Sequence, residues 1–194
     1  MRKSFGAKPF TYPQPVFIIA SYSEDGTPNA MNAAWGGISE TTEITMCLGS
    51  EHKTVKNILK REAFTVSMAD MAHISECDYV GIVSANKVPD KLEKVGFHTT
   101  KSKLVDAPII DELPMVLECK LVSYNETKGR LIGEIINVSA DEKVLNEKGE
   151  IDLSKLRPIT FDPMNNAYHV IGEKVGNAFK DGLQLKDKIN REKV

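Results

Sequence analysis

"MVLECKLVSYNETKGRLIGEIINVSA", residues 115–140, holds two runs rich in Val and Ile on either side of "ETKG" at 126–129. β-branched residues suit the pleated, half-buried surface of a sheet, and a short polar turn ending in glycine reverses the chain. The stretch predicts two long strands, Met115–Asn125 and Arg130–Ala140, paired as antiparallel neighbours.

The same signals recur on both sides. Toward the N-terminus, "PVFIIASYS" (15–23) predicts a strand, "EDGTPN" (24–29) a turn, and "AMNAAWGGI" (30–38) a second strand returning from it. "EITMCLG" (43–49) and "AFTVSMA" (63–69) predict two more strands, and between them "KTVKNILKRE" (53–62) places Val55, Ile58 and Leu59 at helical spacing. "MAHISECDYVGIV" (71–83) predicts a helix with Ile74, Cys77 and Val80 or Gly81 on one side. A loop around Ser84 follows, and then "PDKLEKVGF" (89–97), a brief helix stopped at Gly96. Residues 156–182 hold short strand-like pieces, and 183–194 form a polar tail. No repeat, low-complexity tract or linker divides the chain, which predicts a single domain over 1–194. Strands joined by short turns, with helices inserted rather than alternating one for one, predict a mainly β fold: an antiparallel barrel with peripheral α-helices. A doubly wound parallel sheet fits less well.

Composition narrows the function. At 41% hydrophobic and 27% charged, the 194 residues match an ordinary globular protein. Lys and Arg number 25 against 27 Asp and Glu, which leaves no strong positive field for nucleic acid. Apolar runs such as "VFII" and "PMVL" are far shorter than the roughly 20 residues of a membrane helix, and the N-terminal segment has no apolar signal-peptide core. Three cysteines, Cys47, Cys77 and Cys119, contain no C-x-x-C pair, which fits a reducing compartment. The expectation is a cytoplasmic protein with neither nucleic acid nor membrane as partner. His73 and Cys77 stand four residues apart on the expected helix, but no further ligand pair accompanies them and no metal site is assigned.

"CLGSEHKTVKNI", Cys47–Ile58, poses an electrostatic question. With Ser50 as N-cap, His52 and Lys53 fall in the first helical turn, where free N–H groups and the helix dipole are already positive. A capping box needs Glu or Gln at position 53, which carries Lys instead. Either the lysine is simply solvated, or the helix-start amides, the Ser50 and Thr54 hydroxyls and Lys53 converge on a phosphate. The spacing is not that of a Walker P-loop, and no G-x-G-x-x-G follows any strand. Neither a G-x-S-x-G elbow nor an H-E-x-x-H pair is present.

The single tryptophan, Trp35, lies among Ala33, Ala34, Gly36 and Gly37. Small residues in a strand mark either close backbone approach by a ligand such as a flat ring, or a β-bulge. Taken in order, "NAMNAAW", "CLGSEHKTVKNI", "VSANKVPDKLEKVGF", "LECKL" with "IGEIINV", and "PITFDPMNNAYHVIGEKVG" resemble the flavin reductase-like family of FMN-binding split barrels, flavoredoxin type. The resemblance runs from about Pro15 to Gly182.

It implies a six-stranded antiparallel split barrel, usually a homodimer, with FMN near the subunit interface. Carried onto this chain, Asn32, Ala33, Ala34 and Trp35 would line the isoalloxazine, and the backbone of Cys47, Leu48, Gly49 and Ser50 would flank flavin and ribityl chain. Ser50, Lys53 and Thr54 would hold the phosphate with His52 beside it, and Ser84 and Lys91 would reach the ligand from a lid side. The implied function is a flavoprotein oxidoreductase, with NAD(P)H a possible electron donor and no side chain required as catalyst. An FMN electron carrier serving a redox partner protein, or a pyridoxal phosphate-like binding module, are the rival readings. Glu134 receives no chemistry; the resemblance implies that Tyr168 and His169 can lie near the other subunit's flavin, and a packed strand pair is the alternative reading of both.

Overall fold

The computed structural model describes residues 1–183 and Leu185, so the expected polar tail lies almost wholly outside the described residues. The chain forms β1 (Gln14–Pro15), β2 (Phe17–Tyr22), β3 (Pro28–Ala33), β4 (Gly36–Glu40), β5 (Glu43–Cys47), α1 (Lys53–Arg61) and β6 (Ala63–Met68). A 3-10 turn then leads into α2 (Ile74–Ile82), followed by α3 (Lys91–Lys94), β7 (Thr99–Lys101), β8 (Pro108–Ile110), β9 (Met115–Asn125), β10 (Arg130–Ala140), α4 (Leu153–Leu156), β11 (Ile159–Asp162) and β12 (Ala167–Val170).

β9 and β10 have the predicted bounds and pair antiparallel around Gly129, whose φ of +61° an L side chain rarely adopts. They form the centre of a seven-stranded antiparallel sheet ordered β3-β2-β6-β9-β10-β5-β4. The run at 30–38, expected as one strand, is two: β3 pairs with β2 at one edge of the order and β4 with β5 at the other. Only Ala34 and Trp35 separate them, so the sheet must curl until its edges meet there. Counting the divided run as one gives the six strands of a split barrel. Gly36 explains part of the small-residue run, because a Cβ there would sit 2.8 Å from the Thr45 carbonyl oxygen. Its glycine therefore serves strand contact rather than ligand approach. The register shift in this pair falls between Ile38 and Glu40, beyond the small residues.

β2 is buried on both faces, which explains the unbroken apolar run "FIIA". Phe17 and Ile19 join Ile44, Met46, Phe64, Val66, Leu117, Cys119 and Leu131 inside the curl, where Val55 and Ile58 of α1 plug the core. Full burial of such aliphatic side chains contributes about 1.5–3 kcal/mol each. Leu59, expected on the same helical face, is 43% exposed. Ile18 and Ala20 face the other way, into a second core with Cys77 and Val80 of α2, Leu92 of α3 and Ile159 of β11. Burial pushes the Cys77 and Cys119 thiols up to about 12, so both remain neutral packing groups. The His73 ring bonds Asp70 at 2.8 Å, and Asp70 also caps the 3-10 turn through the Ala72 and His73 amides. No group of three potential metal ligands occurs among the described residues, and none of their helices is long and apolar enough to cross a membrane.

Candidate functional site

The start of α1 is where structure and sequence expectation diverge most usefully. His52, not Ser50, is the N-cap, with extended φ −65° and ψ 134°, so Lys53 is the first helical residue. The N-cap side chain makes no capping bond, and the first turn contains no acidic residue. The amides of Lys53, Thr54 and Val55 have no backbone acceptor among the described residues. Glu51 lies 3.4 Å from His52 with both side chains exposed, a weak pair. Lys53 has no carboxylate within 4.0 Å among the described residues. The result is a concentrated set of donors and positive charge without an internal partner.

This turn borders a continuous groove between β3, the end of β5, α1 and α2. Its first part, about 260 Å³, is lined by Met31, Asn32, Ala33, Ala34, Trp35, Cys47, Leu48, His52, Gly81, Phe161 and Tyr168. The middle part, about 220 Å³, shares Met31, His52 and Gly81 with the first and adds Asn29, Lys53, Thr54, Ser84 and Lys91. A third part, about 310 Å³, continues past Asn29 and Lys53 to Asp25 and Asn86. A larger open concavity, about 700 Å³, lies at the other end of α1, between Glu62, Lys101, Lys103 and Lys120. Its Lys101 and Asp106 pair with each other at 3.0 Å, and it lacks both aromatic walls and a helix start.

The first part of the groove is flat-walled. Trp35 meets Phe161 edge-on, with centroids 6.4 Å apart, and Phe161 lies 6.0 Å from Tyr168. The small sheet β1-β11-β12 delivers Phe161 and Tyr168 there. The Tyr168 hydroxyl donates to Asp78 at 2.7 Å, and the Asn32 amide donates to the Cys77 carbonyl at 3.1 Å and to the Tyr168 oxygen at 3.4 Å. Burial and the Asp78 carboxylate raise the Tyr168 pKa, so its phenol is a fixed neutral group at physiological pH.

The middle part contains an unsatisfied group. Asn29 is 2% exposed and donates to the Thr54 hydroxyl at 2.7 Å, while its Oδ1 has no partner among the described residues. Because a threonine hydroxyl both gives and takes hydrogen bonds, this carboxamide can offer the groove its oxygen or its amine. Lys91 borders the same space, but its Nζ donates to the Val80 and Val83 carbonyls, both at 2.7 Å. It secures the wall of the groove and is already engaged. Ser84 shapes the neighbouring loop, its carbonyl accepting from the Lys87 and Val88 amides.

Of the residues expected at the site, Asn32 to Trp35, Cys47, Leu48, His52, Lys53, Thr54, Ser84 and Lys91 border the groove, whereas Gly49 and Ser50 lie outside its lining. The backbone of 47–48 is a poorer donor than expected: Cys47 N–H donates to the Trp35 carbonyl at 2.8 Å and Leu48 N–H to that of Gly129 at 2.6 Å. Missed were Asn29, Met31, Gly81 and Phe161, and Tyr168 was weighed but not assigned to the site. Tyr168 stood inside a motif that carried the resemblance, and Gly81, a glycine within a helix, was itself a signal of close packing.

Comparison with known proteins agrees with this geometry. Flavoredoxin of Desulfovibrio vulgaris (Miyazaki F) superposes with a TM-score of 0.90 at 37% identity, covering 94% of this chain and 100% of that one. Flavoredoxin from Methanosarcina acetivorans gives 0.85 at 26% identity, covering 95% and 99%. The Bacillus subtilis (strain 168) protein YwrF is 26% identical over 179 residues, 84% of this chain and 85% of that protein. The profile of the flavin reductase like domain matches residues 10–162, and the chain belongs to that family.

Proposed function

We propose that this protein is an oxidoreductase that binds FMN along the groove, ring against Trp35 and phosphate at the start of α1. The observation that carries this reading is the unpartnered donor set of Lys53, Thr54 and Val55, continuous with an aromatic-walled slot. Helix-start amides with an adjacent ammonium suit a phosphate dianion. Asn29, buried with one carboxamide atom unpaired, suits a ribityl hydroxyl or a phosphate oxygen. The likeness to two flavoredoxins and the family match support a flavin over pyridoxal phosphate, as does the length of a groove that runs from Trp35 to Lys53.

When bound, FMN accepts electrons and passes them on, and the protein supplies binding and orientation. Asn32 is held by Cys77 and Tyr168, so it presents a fixed polar edge to the slot. Exposed Cys47 and partly exposed Trp35 leave one side open, which gives a nicotinamide donor access. NAD(P)H as donor, a homodimer with the flavin near its interface, and a cytoplasmic setting with three free cysteines complete the proposal. An electron carrier exchanging with a redox partner protein would use the same groove. Releasing and identifying the bound small molecule tests the ligand, and stopped-flow mixing of the loaded protein with NADH and NADPH separates the roles: rapid bleaching marks a reductase, none a carrier.

Two further outcomes are expected. Trp35 is the only tryptophan and lies at the ring end of the groove, so FMN should quench most of the protein's indole fluorescence. An unquenched spectrum at saturating FMN contradicts the placement. A Cβ at Gly81 would sit 2.8 Å from that of Asn32. Gly81→Val should push Asn32 into the slot and weaken FMN and riboflavin alike, by about tenfold or more, roughly 1.4 kcal/mol. Titration calorimetry reads this, and an unchanged Kd would separate Gly81 from the ring site.

A further inference from the structure

Beyond β12 the described residues leave the fold. The Ile171 N–H donates to the Pro158 carbonyl at 3.1 Å, and among the described residues every hydrogen bond given beyond it stays within 177–183. Along this arm, apolar residues recur every fourth position at Ile171, Val175, Phe179 and Leu183. Val175 and Phe179 are each 99% exposed. Phe179 also has φ +63°, a region that aromatic residues seldom occupy. Isolated surface apolar groups are ordinary, but a spaced series with two members completely exposed is the mark of an interaction segment.

The same molecule exposes further apolar side chains on its sheet. β9 and β10 lie in the middle of the curled sheet and carry Val122, Ile136 and Val138, which are 54%, 37% and 46% exposed. Val122 and Ile136 stand at the two register shifts of the β9–β10 ladder, where the regular alternation of faces breaks. An apolar arm and an exposed apolar strip on one chain fit a closed twofold assembly, because each contact is then made twice.

We propose that residues 171–183 form an exchange arm that seats Val175 and Phe179 on the β9–β10 strip of a second copy of this chain. The proposal rests on the homodimer reading above and assigns it a structural device. Because Tyr168 lines the groove and the arm begins just after it, dimerisation ties the arm's path to the wall of the ligand site.

Sedimentation equilibrium of the FMN-loaded protein tests it. The native chain should be a dimer at micromolar concentration. The V175D/F179D variant, changed only at fully exposed positions, should raise the dimer Kd at least 100-fold while keeping its circular dichroism spectrum, and V138K should weaken the dimer in the same direction. A native monomer at about 100 μM overturns the homodimer reading and the arm together. A native dimer that V175D/F179D leaves intact overturns the arm alone. A dimer weakened by the arm variant but indifferent to V138K overturns the β9–β10 strip as its seat.

Discussion

Lys53→Ala should lower FMN affinity by about 1.5–3 kcal/mol, the range for a hydrogen bond to a charged group, while changing riboflavin affinity far less. Lys53 opens α1, borders both the middle and the third parts of the groove, and has no carboxylate within 4.0 Å among the described residues. Its charge is thus neither neutralised by an ion pair nor favoured by the dipole of its own helix. Removing a cation from a helix N-terminus relieves about 0.3–1 kcal/mol of unfavourable interaction. The ligand-free variant should therefore be as stable as the native protein or slightly more so, while its FMN complex is weaker. Opposite signs for apo stability and ligand affinity separate a phosphate-binding lysine from a structural one. Calorimetric titration with FMN and riboflavin, alongside denaturant unfolding of the apo-protein, reads both. Equal losses for the two ligands would remove Lys53 from the phosphate site.

The element that made this residue conspicuous was legible without a structure, since a cation at a helix start contradicts local electrostatics. The cap itself was misjudged: Ser50 has the residue type of an N-cap, but the extended backbone places His52 there and leaves Lys53 first in the helix. Sequence also located β9 and β10 to the residue, because Val- and Ile-rich runs around Gly129 carry a local signal. The break between β3 and β4 carried none. Residues 30–38 read as one extended run, and only pairing with β2 on one side and β5 on the other divides it. The same limit hid much of the site. Phe161 and Tyr168 reach the slot through a separate small sheet, and Asn29 matters because Thr54, distant in sequence, leaves half of its carboxamide unpaired. Local pattern finds residues whose role is set by their neighbours in the chain. It does not find those whose role comes from closure of the sheet.

Lys91 shows how such long-range placement changes a residue's chemistry, and its effect on stability should depend on pH in a defined direction. The side chain is 3% exposed and spans from α3 to α2, where its Nζ donates to the Val80 and Val83 carbonyls. These are among the carbonyls that a helix C-terminus leaves without partners. Burial lowers the Lys91 pKa from an ordinary 10.5 to about 8. Between those values the unfolded chain holds the proton and the folded chain does not, so the contribution of Lys91 to stability rises with pH across that window. It is complete above pH 10.5 and is lost as pH falls through about 8. Each pH unit is worth about 1.4 kcal/mol, giving roughly 3 kcal/mol over the window. The neutral amine still donates twice, so deprotonation keeps both carbonyl bonds while shedding the buried charge. Lys91→Met fills similar space with no donor and no charge. Near pH 7 the variant loses two hydrogen bonds but escapes the cost of burying an ammonium, and the two proteins should differ little. Toward pH 10.5 the native protein should lead by about 2–3 kcal/mol, approaching the full contribution of the neutral amine. Denaturant unfolding of both proteins from pH 7 to pH 10.5 isolates this residue, because other titrating groups cancel in the difference. A constant difference would mean that the α2 carbonyls hold the ammonium as strongly as burial disfavours it, and a shrinking one that they prevail. Either result would recast Lys91 as a permanently charged clamp on the groove wall.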